Sequence, residues 1–138
     1  MKKSVIIIVI LQLLWIVVSA QTHYGTSAGT LGALHSYFGT FAGNAAVSSS
    51  YENSFFGHSS GKFTTTGHGN TAVGVSSLRE NTTGYWNVGI GSQALRLNTT
   101  GYGNVAIGRW ALYNNTVGRH NVAIGLNALL NNGKFSSM

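Results

Sequence analysis

Apolar and polar positions alternate along the chain in a phrase that recurs with a period of 17 residues. The phrase reads NTAVGVSSL, NVGIGSQAL, NVAIGRWAL and NVAIGLNAL in its clearest copies, which begin at Asn70, Asn87, Asn104 and Asn121. Counted from that Asn as position 1, positions 2 and 4 are mostly β-branched, and position 3 is often small. Gly at position 5 ends the run. Alternation of this kind predicts a short β-strand in every repeat.

A second phrase lies between the predicted strands. Asn-Thr-Thr-Gly occupies residues 81–84 and 98–101, and Asn-Thr-Val-Gly occupies residues 115–118. Because Asn and Gly tolerate positive φ, we expect these residues to form the turn that closes each coil. A further short strand is predicted at positions 8 to 11, around residues 111–113. The recurrent glycines disfavour a helix.

Weaker copies extend the pattern toward the N-terminus. NSFFGHSSG begins at Asn53, HSYFGTFAG begins at His35, and YGTSAG at Tyr24 is the tail of a first copy. Residues 21–133 are therefore predicted to form one all-β parallel solenoid of about seven coils. Stacking in register would align the side chains of position 1 in a ladder of amides. The predicted ladder comprises Asn53, Asn70, Asn87, Asn104 and Asn121.

The first 20 residues have a different pattern. Lys2 and Lys3 form a basic start, residues 5–18 are apolar except for Gln12, and small residues precede a possible cleavage after Ala20. These three parts predict a secretory signal peptide and a secreted or cell-surface protein. An uncleaved membrane anchor is the alternative, for which the apolar run is short because a spanning helix needs about 20 residues. Residues 134–138 are predicted to be a C-terminal tail.

Composition then limits the chemistry. The chain contains no Cys and no Asp, and Glu52 and Glu80 are its only acidic residues. Carboxylate pairs, Asp-supported triads and thiolate zinc sites therefore lack their residues, so we expect no enzyme activity, no metal and no cofactor. The five histidines occupy unlike positions of the repeat. The basic residues are scattered, which makes a nucleic-acid site a poor interpretation.

The phrases at residues 104–112 and 121–129 resemble the repeats of YadA-like head domains in trimeric autotransporter adhesins. The resemblance covers residues 21–133, although the period of 17 is longer than that of the family. It implies a left-handed parallel β-roll, a homotrimer and a role in adhesion. It also implies that positions 2 and 4 face inward, while Arg109 and Trp110 face solvent. The predicted core of the repeat comprises Val73, Val88, Ile90, Val105, Ile107, Val122 and Ile124.

Self-association is also expected from the residues themselves, because a coil with short strands encloses only a thin core. Either the small residues at position 3 or the leucines at position 9 would be buried between chains. Neither a heptad stalk nor a membrane barrel follows the repeats in the sequence. We therefore also expect a separate anchoring protein as a partner.

Aromatic and cationic residues predicted to face solvent are the candidate ligand-binding surface. Tyr85, Tyr102 and Arg119 share position 16, so stacking would place them in one row. Exposed aromatic patches commonly mark contacts with ligands or partners. The alternative is that these rings seal the edge of the roll or pack between protomers. The full predicted surface comprises Tyr85, Trp86, Tyr102, Arg109, Trp110, Arg119 and His120.

Three functions remain open at this point. The first is an adhesin-like head that binds host matrix protein, glycan or other cells through its exposed faces. The second is a structural spacer or fibre segment. The third is ice binding, which is disfavoured because the recurring threonines do not form a flat, regular array: the row is broken at Val117.

Overall fold

A computed structural model of the chain describes residues 35–46 and 50–132, together with the backbone of residues 23 and 24. The predicted signal peptide, most of the first coil and the predicted tail lie outside the described residues. Within them the strands are β1 His23–Tyr24, β2 Ser36–Phe38, β3 Ser54–Phe56, β4 Thr71–Val73, β5 Val88–Ile90, β6 Val105–Ile107 and β7 Val122–Ile124.

The strands form one parallel sheet in the order β1 to β7. His23 pairs with Tyr37 and Ser36 with Ser54, so the first two steps along the chain are 14 and 18 residues. From β3 onward every strand pairs with the residue 17 positions later. The predicted all-β parallel solenoid with a period of about 17 is therefore confirmed. Each described coil contributes one short strand, which ends at the position-5 Gly.

The second strand predicted in each coil is wrong. Residues 110–114 form a turn instead. Leu112 has a φ of 49° and Trp110 a φ of 61°, and neither value belongs to an extended backbone. The backbone N–H of Leu95 still donates to the carbonyl of Ala111, at 3.0 Å, in the next coil. Coil-to-coil hydrogen bonding therefore continues around the turn without a second sheet.

The predicted core is also wrong, because positions 2 and 4 lie on the outer face of the sheet. Val73 and Ile90 are each 38% exposed, and Ile124 in β7 is 68% exposed. Side chains alternate between the two faces of a strand, so position 3 must then point inward. Ala72 and Ala106 at that position are fully buried. The correction applies to Val73, Val88, Ile90, Val105, Ile107, Val122 and Ile124.

The core is built from positions 3 and 9. Leu78, Leu95 and Leu112 at position 9 are fully buried and cluster with the alanines of position 3. Burial of a Leu side chain contributes about 1.5–3 kcal/mol relative to exposure. The two faces predicted to be buried between chains, at positions 3 and 9, therefore lie inside the coil. The surface available to a partner is the outer face at positions 2 and 4.

Two coils fill the same interior with a different pair of residues. Tyr37 and Phe55 occupy position 3 there and are fully buried, with their rings stacked at a centroid distance of 5.2 Å. Position 9 is then Gly: a Cβ on Gly61 would lie 2.2 Å from the Phe55 ring. Burial also raises the pKa of the Tyr37 hydroxyl above its usual value. An aromatic–Gly pair thus replaces the Ala–Leu pair of the later coils.

This complementarity predicts the result of exchanging one pair for the other. Phe55→Ala leaves a cavity and should cost about 3–5 kcal/mol in the free energy of unfolding. Adding Gly61→Leu reproduces the pair Ala72 and Leu78, so the double variant should regain most of that loss. Urea denaturation followed by circular dichroism measures both. A double variant no more stable than Phe55→Ala would contradict the pairing of positions 3 and 9.

The asparagines at position 1 form a continuous hydrogen-bonded ladder. The side-chain oxygen Oδ1 of Asn70 accepts from the backbone N–H of Asn87 at 3.0 Å and from its Nδ2 at 3.1 Å. Asn87 Nδ2 also donates to the carbonyl of Gly101 at 2.8 Å. The same bonds join each described pair from Asn53 to Asn121. One amide therefore joins two coils and one turn.

A second ladder runs through the turn itself. Asn98 Nδ2 donates to Asn81 Oδ1 at 2.7 Å, and Asn115 Nδ2 donates to Asn98 Oδ1 at 3.0 Å. Asn98 Nδ2 also donates to the Gly101 carbonyl, which already accepts from Asn87. The two ladders thus share the carbonyl of the turn glycine. Asn81 and Asn98 are fully buried, so these side chains hold the turn.

The glycines at position 5 are required by the close stacking of the coils. A Cβ on Gly91 would lie 2.7 Å from the backbone of Gly108, and one on Gly57 would lie 2.7 Å from the Gly74 carbonyl oxygen. Both glycines also have φ near 130°, which L-amino acids with a side chain rarely adopt. This column sets how closely successive coils approach.

Removing one amide from the ladder should destabilise the whole stack. Asn87→Ala leaves the buried backbone N–H of Asn104 without its acceptor, and each such buried group costs about 1–3 kcal/mol. We expect a matching loss in the free energy of unfolding, measured by urea denaturation. Asn44→Ala is the matched control, because Asn44 is an exposed amide. Equal losses in the two variants would show that the ladder has no special role.

Candidate functional site

A column of aromatic rings runs along the surface at position 16. Tyr51, His68, Tyr85 and Tyr102 stack on one another with centroid distances of 4.6, 5.1 and 4.6 Å. Arg119 ends the column, and its Nη1 donates to the Tyr102 hydroxyl at 3.0 Å. The stack arises because the 17-residue period places one ring over the next. We call these five residues the tyrosine column.

Position 17 flanks this column with larger and smaller residues in alternation. Trp86 is 63% exposed and packs edge-on against Tyr85, at a centroid distance of 5.1 Å. Its ring covers Gly69 in the preceding coil, where a Cβ would lie 2.5 Å from Trp86 Cδ1. His120 covers Gly103 in the same way, with Nδ1 at 2.9 Å from such a Cβ. Glycine at alternate coils thus makes room for a bulky neighbour.

Arg109 and Trp110 contact a different set of residues. The Arg109 guanidinium lies 3.8 Å from the centroid of the Trp110 ring. Trp110 lines an open groove of about 330 Å³ together with Tyr113, and the groove is completed by Gln93, Asn114 and Leu130. No residue of the tyrosine column lines that groove. The surface predicted as one site is therefore two sites.

A row of cations leads to this groove along position 10. Lys62 lies 4.8 Å from the Phe41 ring centroid, and Arg79 lies 5.0 Å from that of Phe63. Arg79 also pairs with Glu80. Arg96 is next in the row, with Nη1 2.6 Å from the Tyr113 hydroxyl. Cations on aromatic rings are attracted by the electron density of the ring face, which orders these long side chains.

The sequence interpretation found part of each site. Tyr85, Tyr102 and Arg119 do lie in one column, but Tyr51 and His68 were not included, although they too stand at position 16. Arg96 and Tyr113 were also missed. They share position 10 of consecutive coils, so the period itself was the signal that could have found them. A role in ligand binding stays a prediction for the whole surface.

The polar groups of the two sites suit binding contacts. The tyrosine column presents ring faces, a hydroxyl and a guanidinium, and the groove adds two side-chain amides. Across residues 35–46 and 50–132, no three His or Glu side chains gather as they would around a metal ion. In the same part of the chain no helix has the length and apolarity to cross a membrane.

Comparison with known proteins gave no match: no family model, no curated protein and no solved structure is measurably similar to the chain. The likeness to YadA-like heads therefore depends on the repeat phrases alone.

Proposed function

We propose that the chain is a secreted or cell-surface adhesin-like head, a left-handed β-roll of about seven coils that assembles as a homotrimer. The observation that carries the proposal is the tyrosine column with exposed Trp86 beside it. Aromatic rings stacked in the open on a rigid scaffold suit the binding of matrix protein, glycan or another cell, since such patches commonly mark contacts.

The proposed trimer is supported by the apolar outer face of the sheet. Phe56 is 39% exposed and Ile90 38% exposed, although both are covered above and below by the neighbouring coils. Phe38 and Phe56 stack on this face at a centroid distance of 5.1 Å. A contiguous apolar face of this kind favours burial against another chain, because monomeric soluble proteins rarely expose one.

Charge on the outer face should dissociate the trimer. Ile90→Glu with Ile107→Glu places two carboxylates where the proposed partner chains pack, and buried unpaired charges are strongly unfavourable. Sedimentation equilibrium of the exported chain should give the mass of three copies for the wild type and of one for this variant. Thr83→Glu with Thr100→Glu, on exposed turn positions, is the matched control and should remain trimeric. A monomeric wild type contradicts the proposed assembly.

A structural spacer is the second candidate, and the asparagine ladders favour it. Two parallel ladders of buried amides tie each coil to the next over residues 53–121, which makes a rod whose length is set by the number of repeats. Ice binding has less support: the hydroxyls of Thr82 and Thr99 donate to carbonyls of the following coil, so this column of threonines does not present its donors to solvent.

Adhesion and a spacer role differ in whether the exported chain binds anything. On an array of glycans and matrix proteins we expect a signal that falls at least about tenfold for Trp86→Gly, a loss of about 1.4 kcal/mol of binding free energy. Glycine already stands at position 17 of the neighbouring coils, so the variant should fold. Trp110→Ala, in the other site, tests whether the loss belongs to the tyrosine column. An array without any signal would favour the spacer.

A further inference from the structure

The groove beside Trp110 has the form of a small binding site. Its volume of about 330 Å³ falls within the range of ligand pockets, which begins near 300 Å³. Trp110 and Leu130 supply apolar walls, and the side-chain amides of Gln93 and Asn114 supply donors and acceptors. Asn114 Nδ2 donates to Asn131 Oδ1 at 2.9 Å, which holds that amide in place. An apolar wall with amides beside it suits the flat face and the hydroxyls of a sugar ring.

Positive charge surrounds this groove. Arg96 hydrogen-bonds two lining residues, with Nη1 2.6 Å from the Tyr113 hydroxyl and 3.4 Å from Gln93 Oε1. The Nε atom of Arg96 is buried and has no hydrogen-bond partner. Arg109 lies over Trp110 at the same groove and is exposed. Glu80, the acidic residue on this edge, already pairs with Arg79. The charge of the groove is therefore complementary to an anion.

The cations continue beyond the groove along the axis of the solenoid. Lys62, Arg79 and Arg96 occupy position 10 of consecutive coils, so they recur about every 4.8 Å. A single small anion would use only one of them. A linear polymer with repeated negative charges could lie along the whole row, with one sugar residue seated in the groove.

We propose that this edge binds an acidic polysaccharide, and that the groove holds one sugar residue bearing a carboxylate or a sulfate. The sugar ring packs on Trp110, its hydroxyls bond Gln93 and Asn114, and its anionic group bonds Arg109. Charge-assisted bonds from a guanidinium to a carboxylate or sulfate oxygen are about twice as strong as neutral ones. The proposal names the ligand class of the adhesin-like head, so it rests on the proposed function.

The test measures binding of the full exported chain to fluorescent oligosaccharides at about 0.15 M salt, where long-range attraction is screened. Heparin fragments carry sulfate and carboxylate, oligogalacturonate carries carboxylate only, and dextran fragments are neutral. We expect binding of one or both acidic probes and none of dextran. Trp110→Ala and Arg109→Gln should each weaken binding about tenfold, which corresponds to the loss of one strong contact.

Matched controls lie on the other site. Trp86→Gly removes an exposed Trp, and Arg119→Gln removes the same charge as Arg109→Gln, so both should change the affinity less than about twofold if the groove is the site. Equal weakening by Arg119→Gln would show attraction to net charge only and would overturn the proposal. Tighter binding of single-stranded DNA than of either acidic probe would overturn it too. Circular dichroism and melting temperature confirm that each variant is folded.

The outcomes also separate this proposal from the proposed function. If the chain binds neutral glycans or matrix protein in a manner that depends on Trp86 but not on Trp110, the acidic-sugar site is wrong and the adhesin-like head stands. If no glycan and no matrix protein binds the wild-type chain, the proposed function fails, and the site fails with it.

Discussion

The buried amide of the position-1 asparagine is the interaction on which the rest of the structure depends. Its oxygen receives the backbone N–H and the side chain of the next coil, while its nitrogen reaches the carbonyl of the turn glycine. A serine or an aspartate could supply only part of this set, because neither has both an acceptor and an amide donor at that reach. His35 takes the same place at one end, where its Nδ1 accepts the N–H of Asn53 at 3.1 Å. The register of every strand and the order of the surface columns follow from this spacing.

Inside the coil the constraint is volume. The interior accepts either Ala with Leu, as at Ala72 and Leu78, or an aromatic ring with Gly, as at Phe55 and Gly61. Interiors are close-packed, so a change at one of these positions must be answered at the other. The irregular early repeats therefore conserve the size of the core although their sequences differ from the later ones. This explains how one solenoid accommodates both kinds of coil.

The fold could be predicted from the sequence because the 17-residue period is an arithmetic property of Asn70, Asn87, Asn104 and Asn121. The direction of the side chains could not be. Strand alternation separates Val105 and Ile107 from Ala106, but it does not say which face is inside, and hydrophobicity alone favours the larger residues. The interior is too narrow for them, as the buried Ala106 shows. The predicted second strand failed at Leu112 because positive φ at a leucine has no signal in a single repeat.

The candidate surface divides in the same way. Sharing position 16 was enough to predict that Tyr85 and Tyr102 stack, since identical positions must align in a register of 17. The groove at Trp110 depends instead on residues from different positions, Gln93 and Leu130 among them, and on how far each side chain extends. Periodicity orders residues along the axis of the solenoid. It does not determine which of the residues around one coil come together.

The alternation at position 17 has a consequence for any extended partner. Gly69 and Gly103 are covered by Trp86 and His120, so a bulky residue projects only at every second coil. The backbone repeats about every 4.8 Å, whereas this part of the surface repeats about every 9.6 Å. A filament or polymer lying along it would meet the same relief only after two coils. The surface therefore acts as a ruler with a coarser division than the fold beneath it, and it can distinguish partners by their own repeat length.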